Sequence, residues 1–223
     1  VEKMKQIDFL AISKELSFAI KNIPIYWDGR KSILEMKEAN FPHWRQMEWI
    51  GFYFQFLCGK LLKDFMQIPG PRYGHAEFDG FRVIPWDFKT HAINTSSHQI
   101  IVNDSEATAL AIKEFGCVGL ILTMGKVKYN DDKRTFQKWH ERLKGGKSQY
   151  ELERIKRGAW SRLRKVEFRL EQISFIKIDD DVLIKCGSFQ RGFRNADGIP
   201  RREKVLLDLE KLDEEIIFFI DFK

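Results

Sequence analysis

Two aspartates and a lysine within eleven residues carry the chemistry this sequence offers most clearly. They are Asp79 in Phe78-Asp79-Gly80, and Asp87 and Lys89 in Ile84-Pro85-Trp86-Asp87-Phe88-Lys89-Thr90-His91. Side chains alternate faces along a strand, so Asp87 and Lys89 point one way while Ile84, Trp86 and Phe88 point the other. A carboxylate and an ammonium on one face can serve a divalent cation and its water together, once a second carboxylate arrives from the neighbouring strand. That is the chemistry of a metal-dependent phosphodiesterase. Asp79 is the expected second carboxylate because Gly80 marks the turn beside it; Glu77 is the alternative, since spacing alone leaves the hairpin register open. Pro85 removes a ladder donor, so its position is expected at a bulge or an edge.

The tripeptide Asp/Glu-x-Lys occurs four times, at Glu35, Asp87, Asp131 and Asp221. Glu35 and Lys37 fall in a helix-like run, where positions two apart diverge by about 200°. Asp131 sits in a polar turn or helix start, where acidic residues cap free N–H groups. Asp221 is at the end of the sequence, where support is poor. Only Asp87 combines strand alternation, an upstream aspartate and following sheet.

The elements around this cluster can be read from periodicity and punctuation. Residues 2–22 form an amphipathic stripe ended by Pro24. Residues 42–66 read as a helix with Pro42 in its first turn and an apolar middle, in which Glu48 and Gln55 are polar anomalies on one face. An Arg45–Glu48 pair is the plain reading of that glutamate; presentation to a metal-bound water is the sharper one. After the loop 68–74, the hairpin leads to a strand at 98–102, a helix at 107–115 capped by residues 103–106 and stopped by Gly116, and a buried parallel-type strand at 118–123. Helices are expected at 131–143 and 148–164, and strands at 166–178 and 182–186. The Asp179-Asp180-Asp181 triplet between those strands reads as a turn.

This order of helix with glutamate, Asp-bearing hairpin, Asp-x-Lys, strand, helix and strand, over residues 42–124, resembles the PD-(D/E)XK nuclease superfamily, and most of all its type II restriction endonucleases. Phe78 stands where the superfamily name places proline. The resemblance implies an α/β (α+β) fold: a central mixed sheet of four to five strands flanked by helices, with helical and β additions. It implies that Asp79, Asp87 and the Phe88 carbonyl hold Mg²⁺, that Lys89 orients or deprotonates the water and neutralises the phosphate, and that Glu48 takes a second metal or an outer-shell water. Hard oxygen donors with one lysine favour Mg²⁺ over zinc. The implied function is sequence-specific cleavage of double-stranded DNA by a homodimer, because two-fold symmetry matches a palindromic site. A repair or junction-resolving nuclease of the same superfamily and a non-catalytic DNA-binding protein are the rival readings.

For DNA contact the sequence offers Gln190, Arg191, Arg194 and Asn195, in a glycine-rich loop of residue types that bond base edges. It also offers Lys126 and Lys128, and Arg154 and Arg157 on the basic face of helix 148–164, a face whose plainer reading is solvated surface. Met47, beside Glu48, either packs in the core or wedges between base steps from the minor groove. His91 continues the chemical face as a proton relay or phosphate contact, while the other histidines have no zinc-like spacing.

A single domain over residues 1–223 is expected, with the nuclease core at 42–124 and residues 125–223 adding helices and a β-ribbon for DNA binding and specificity. Lys+Arg 38 against Asp+Glu 32 gives +6, which suits an anionic partner. Cys58, Cys117 and Cys186 are odd in number and far apart, as in buried thiols of a reducing compartment. The longest apolar run, at 49–58, is too short to span a bilayer, so an intracellular protein with no membrane association is expected, and the resemblance to restriction endonucleases implies the cytoplasm of a prokaryote.

Overall fold

The computed structural model describes residues 7–129, 133–159, 163–192 and 202–222. The chain begins with α1 (Phe9–Ile20), β1 (Tyr26–Asp28), α2 (Gly29–Glu38), a 3-10 turn at Pro42–Arg45 and α3 (Trp49–Leu61). A short ladder, β2 (Arg72–Tyr73) and β3 (Ala76–Glu77), precedes the hairpin β4 (Gly80–Arg82) and β5 (Ile84–Ala92). Then come β6 (Gln99–Asp104), α4 (Ser105–Phe115), β7 (Val118–Tyr129), α5 (Thr135–Lys144) and α6 (Gln149–Lys156). The last elements are β8 (Lys165–Ile178), α7 (Asp180–Cys186), β9 (Gly187–Gln190), β10 (Lys204–Asp208) and β11 (Ile217–Asp221).

Six strands make one mixed sheet in the order β1-β8-β7-β5-β4, with β11 also on β8. The β5–β7 pair is parallel and the other pairs are antiparallel. This exceeds the four to five strands expected, because β1 and β11 share one edge of the long β8, at Glu167–Arg169 and Gln172–Ile176 respectively. Alternation along β5 and β7 feeds two cores. Trp86, Phe88 and Ile121 pack with α1, α2 and α3 on one face; Leu120 and Leu122 pack with α4, β6 and β10 on the other.

Several elements depart from the sequence expectations. The helix expected at 42–66 is broken: Pro42 starts a 3-10 turn, Gln46 is extended, and α3 begins only after Glu48. Strand 98–102 forms as β6 but leaves the central sheet to pair with β10, which also pairs with β9. Residues 182–186, expected as a strand, are helical. Asp179 caps α7 by accepting the Val182 N–H at 3.1 Å, and Asp180 and Asp181 place negative charge at its N-terminus. The helix expected over 148–164 stops near Arg157, where Gly158 takes a left-handed φ of +67°. Gly116, with φ +80°, does end α4 as the sequence indicates.

Candidate active site

The hairpin register decides which carboxylates meet. Gly80 faces Trp86 and Arg82 faces Ile84, so one step further Asp79 comes opposite Asp87. Glu77 is instead in the short β2–β3 ladder, where its carboxylate pairs with Arg72 at 3.1 Å. Pro85 is accommodated because it faces Phe81 in a non-bonded pair: the Phe81 backbone groups turn outward to Gln67. The missing Pro85 donor therefore points toward β7, whose register with β5 starts only at Trp86.

Strand β4 is three residues long, so from Asp87 onward the outer edge of β5 has no strand partner. The Asp79 carboxylate fills that place, its Oδ2 accepting the Phe88 N–H at 2.7 Å. Its other oxygen accepts from Gln55 Nε2 of α3 at 2.9 Å. On the opposite side of β5 the Thr123 hydroxyl donates to the Lys89 carbonyl at 3.3 Å. Carbonyls alternate sides along a strand, so the Phe88 carbonyl points to the same open edge as Asp79.

Lys89 Nζ lies 3.1 Å from Asp87 Oδ2 and 3.8 Å from Asp79 Oδ2. The Asp87 side chain is only 3% exposed. Its Oδ1 accepts from Asn103 Nδ2 at 3.3 Å, whereas its Oδ2 has the Lys89 charge nearby but no donor aligned for a hydrogen bond. Burying a carboxylate is costly unless a charge partner accompanies it, and Lys89 is that partner here. Burial, with Asp87 adding, raises the Asp79 carboxyl to about 6 against the opposing pull of Lys89, the Phe88 N–H and Gln55. Burial pulls the Lys89 ammonium down, but Asp87 and Asp79 outweigh it and its pKa is raised.

No protein-family model and no curated protein matches this chain. Among solved structures it is similar to the restriction endonuclease BglI bound to its DNA recognition sequence. The likeness has 10% identity and a TM-score of 0.42, and covers 96% of this chain and 88% of that one.

A cavity of about 360 Å³ opens beside Lys89 and is walled by Gln55, Phe88, Thr90, His91, Glu48 and Lys165. A second, of about 700 Å³, shares Glu48, Thr90, His91, Ala92 and Lys165 with it and runs on past Met47, Tyr129 and Arg154. Together they form one groove leading away from the aspartates. Glu48 is on its wall, with a side chain 73% exposed and paired to Lys165 at 3.2 Å, and not to Arg45, which lies over the Trp44 ring. The residue of α3 that reaches the aspartates is Gln55. Met47 is half-buried on the groove wall, outside both cores. Burial, with His98 and Lys165 adding, lowers the His91 pKa.

The other expected DNA contacts scatter. Lys126 and Lys128 stand in cross-strand pairs with Glu171 at 2.8 Å and Glu167 at 3.1 Å. Arg154 lines the groove, and Arg157 Nε donates to the Glu153 carbonyl at the end of α6. Gln190 ends β9, and Arg191 pairs with Glu203. Arg194 and Asn195 lie outside the described residues. Among the described residues no group of three or more His, Cys, Asp and Glu side chains is gathered for a metal; this site brings together two carboxylates, Asp79 and Asp87, around Lys89. No helix among them is long and apolar enough to cross a membrane. Gln55 was visible in the sequence as a polar residue on an apolar helix; Asn103, counted there among the capping residues, carried no such signal.

Proposed function

We propose that this chain is a Mg²⁺-dependent endonuclease of the PD-(D/E)XK type that cuts double-stranded DNA at a specific sequence, as type II restriction enzymes do. The observation that carries this reading is the convergence of the buried Asp87 carboxylate with Asp79 and Lys89 at the open edge of β5, where Lys89 Nζ lies 3.1 Å from Asp87 and 3.8 Å from Asp79. Asp79, Asp87 and the Phe88 carbonyl are the residues that would hold Mg²⁺, and two carboxylates with a carbonyl fit a hard cation. When bound, the ion supplies charge neutralisation at the scissile phosphate.

The chain's own residues supply the rest. Lys89, held as an ammonium by its raised pKa, orients the attacking water and balances charge developing on the phosphate, which favours this role over that of a base. Gln55 fixes the plane of the Asp79 carboxylate. The groove past His91 and Met47 receives the duplex, with Met47 placed to press on the bases. Gln190 and Arg191 at the end of β9, with Arg194 and Asn195 of the same sequence stretch, read the DNA sequence. Two copies act together, since a palindromic site presents two equivalent scissile bonds.

The test is a digest of long duplex DNA with and without Mg²⁺, beside sedimentation of the protein. Discrete fragments that require Mg²⁺ and a two-fold assembly are expected. Asp87→Ala and Lys89→Ala each remove cleavage and retain duplex binding. A smear or structure-dependent nicking favours a repair role instead, and intact DNA, or cutting that persists in either variant, overturns the assignment.

A further inference from the structure

Strand β6 changes its pairing just before it reaches the site. Between one paired position and the next, β10 advances from Lys204 to Leu206 while β6 runs from Asp104 back to Ile101, so β6 holds one extra residue. Such a bulge turns side chains out of ordinary alternation. Val102, Asn103 and Asp104 are accordingly buried in succession, and Asn103 is aimed at Asp87. Its Nδ2 donates to Asp87 Oδ1 at 3.3 Å and to the Glu77 carbonyl at 3.2 Å, while its Oδ1 accepts the Asp104 N–H at 2.8 Å. The last bond fixes the amide orientation: the atom facing a backbone donor must be oxygen, so the NH₂ faces the carboxylate.

The same point is fastened to the ribbon. Lys204 pairs with Asp104 on one side and Gln190 on the other. The Glu203 carbonyl accepts the Ser105 N–H at 3.0 Å, the Glu203 carboxylate holds Arg191, and Arg202 lies 3.7 Å from Glu106. Residues 202–204 are therefore joined to residues 104–106, and residues 190 and 191 to 204 and 203, immediately beside the amide that holds Asp87.

We propose that Asn103 is a positioning residue for Asp87, and that the β9–β10 ribbon acts on the metal-holding carboxylates through it. DNA contact at Gln190 and Arg191 then registers at the site of cleavage. The proposal rests on the nuclease reading above. One donor on Oδ1 sets the plane of the Asp87 carboxylate; without it the group can turn toward Lys89 and away from a shared cation.

Asn103→Leu keeps the buried volume and removes the donor; Asn103→Ala is its companion, and a melting curve shows which is folded. Calorimetric titration of the DNA-free protein with Mn²⁺ is expected to show affinity about tenfold weaker than wild type, as for lost support of a metal ligand. The single-turnover cleavage rate at saturating Mn²⁺ falls as well, and duplex binding in EDTA is unchanged. Arg191→Ala slows cleavage of bound duplex in the wild-type background and adds little in Asn103→Leu. Unchanged Mn²⁺ affinity and rate in a folded Asn103 variant overturn the positioning role. Fully multiplicative effects of the two substitutions, or no effect of Arg191→Ala alone, overturn the link to the ribbon. A wild-type protein that neither binds Mn²⁺ nor cuts fails earlier and overturns the nuclease reading itself.

Discussion

At the scale of single residues, the site is a contest over where the charge on three groups can go. Asp79 and Asp87 approach each other across an antiparallel register, a repulsive arrangement that Lys89 and the donors from Phe88 and Gln55 offset. Gln55 has the clearest measurable consequence, because it is the side-chain donor given to Asp79 by α3. On the proposed function, Gln55→Leu is expected to weaken Mg²⁺-supported cleavage about 10- to 100-fold through a raised metal requirement, the usual effect of removing support from a metal ligand. A titration of rate against Mg²⁺ checks this; an unaltered midpoint would show that Asp79 needs no help from α3. The triad itself was legible from period-two alternation and a glycine turn. Asn103 was not, because a bulge is a property of how two strands pair and leaves no periodic trace in either one.

At the scale of elements, the short β4 does two things at once: its tight turn fixes the register, and its early end leaves β5 open for chemistry. The turn has a cost. Val83, between the two strands, has φ +63°, a region in which a β-branched side chain is crowded. Its side chain is exposed, so no packing is lost on truncation. Val83→Gly is expected to stabilise the fold by about 0.5 to 1 kcal/mol, the relief of left-handed crowding exceeding the added freedom of the unfolded chain. Urea unfolding monitored by tryptophan fluorescence measures it, and a destabilised variant would mean that the turn carries no strain. Elsewhere, element type was legible where length or punctuation was strong, as in α4 between its cap and Gly116. It failed at 182–186, where five residues are too few to separate periods, and the Asp179 cap outweighed β propensity. The six-stranded sheet exceeded the expectation for a related reason: β1 is three residues long and gains its place only from β8.

At the scale of the whole molecule, the pH dependence of folding sums groups that pull in opposite directions, and His140 can be isolated from them. Its ring lies on α5, is 4% exposed, and has Nε2 3.1 Å from the Trp44 carbonyl, to which the neutral ring donates. Burial lowers its pKa from 6.5 to about 4, with the positive charges of Lys144 and Arg164 adding to the effect. Below pH 6.5 the unfolded chain takes up a proton that the folded chain refuses, so this group's contribution to stability is lost as pH falls from about 6.5 to 4. Asp79 works against it in part of the same window. Its carboxyl is raised to about 6 in the fold, so the folded chain holds that proton more tightly and gains stability as pH falls from about 6 to 4. Glu141 and Asp179, whose pKa values are lowered, lose their contributions only as pH falls further, through the carboxylate range. His140→Gln keeps an amide donor for Trp44 and removes the titration, leaving Asp79 and the other carboxylates common to both proteins. The wild type is therefore expected to lose on the order of 1 to 2 kcal/mol more than His140→Gln between pH 7 and pH 5. Parallel urea-unfolding curves at the two pH values give that difference directly, and equal losses in the two proteins would mean that His140 titrates in the fold as it does in the open chain.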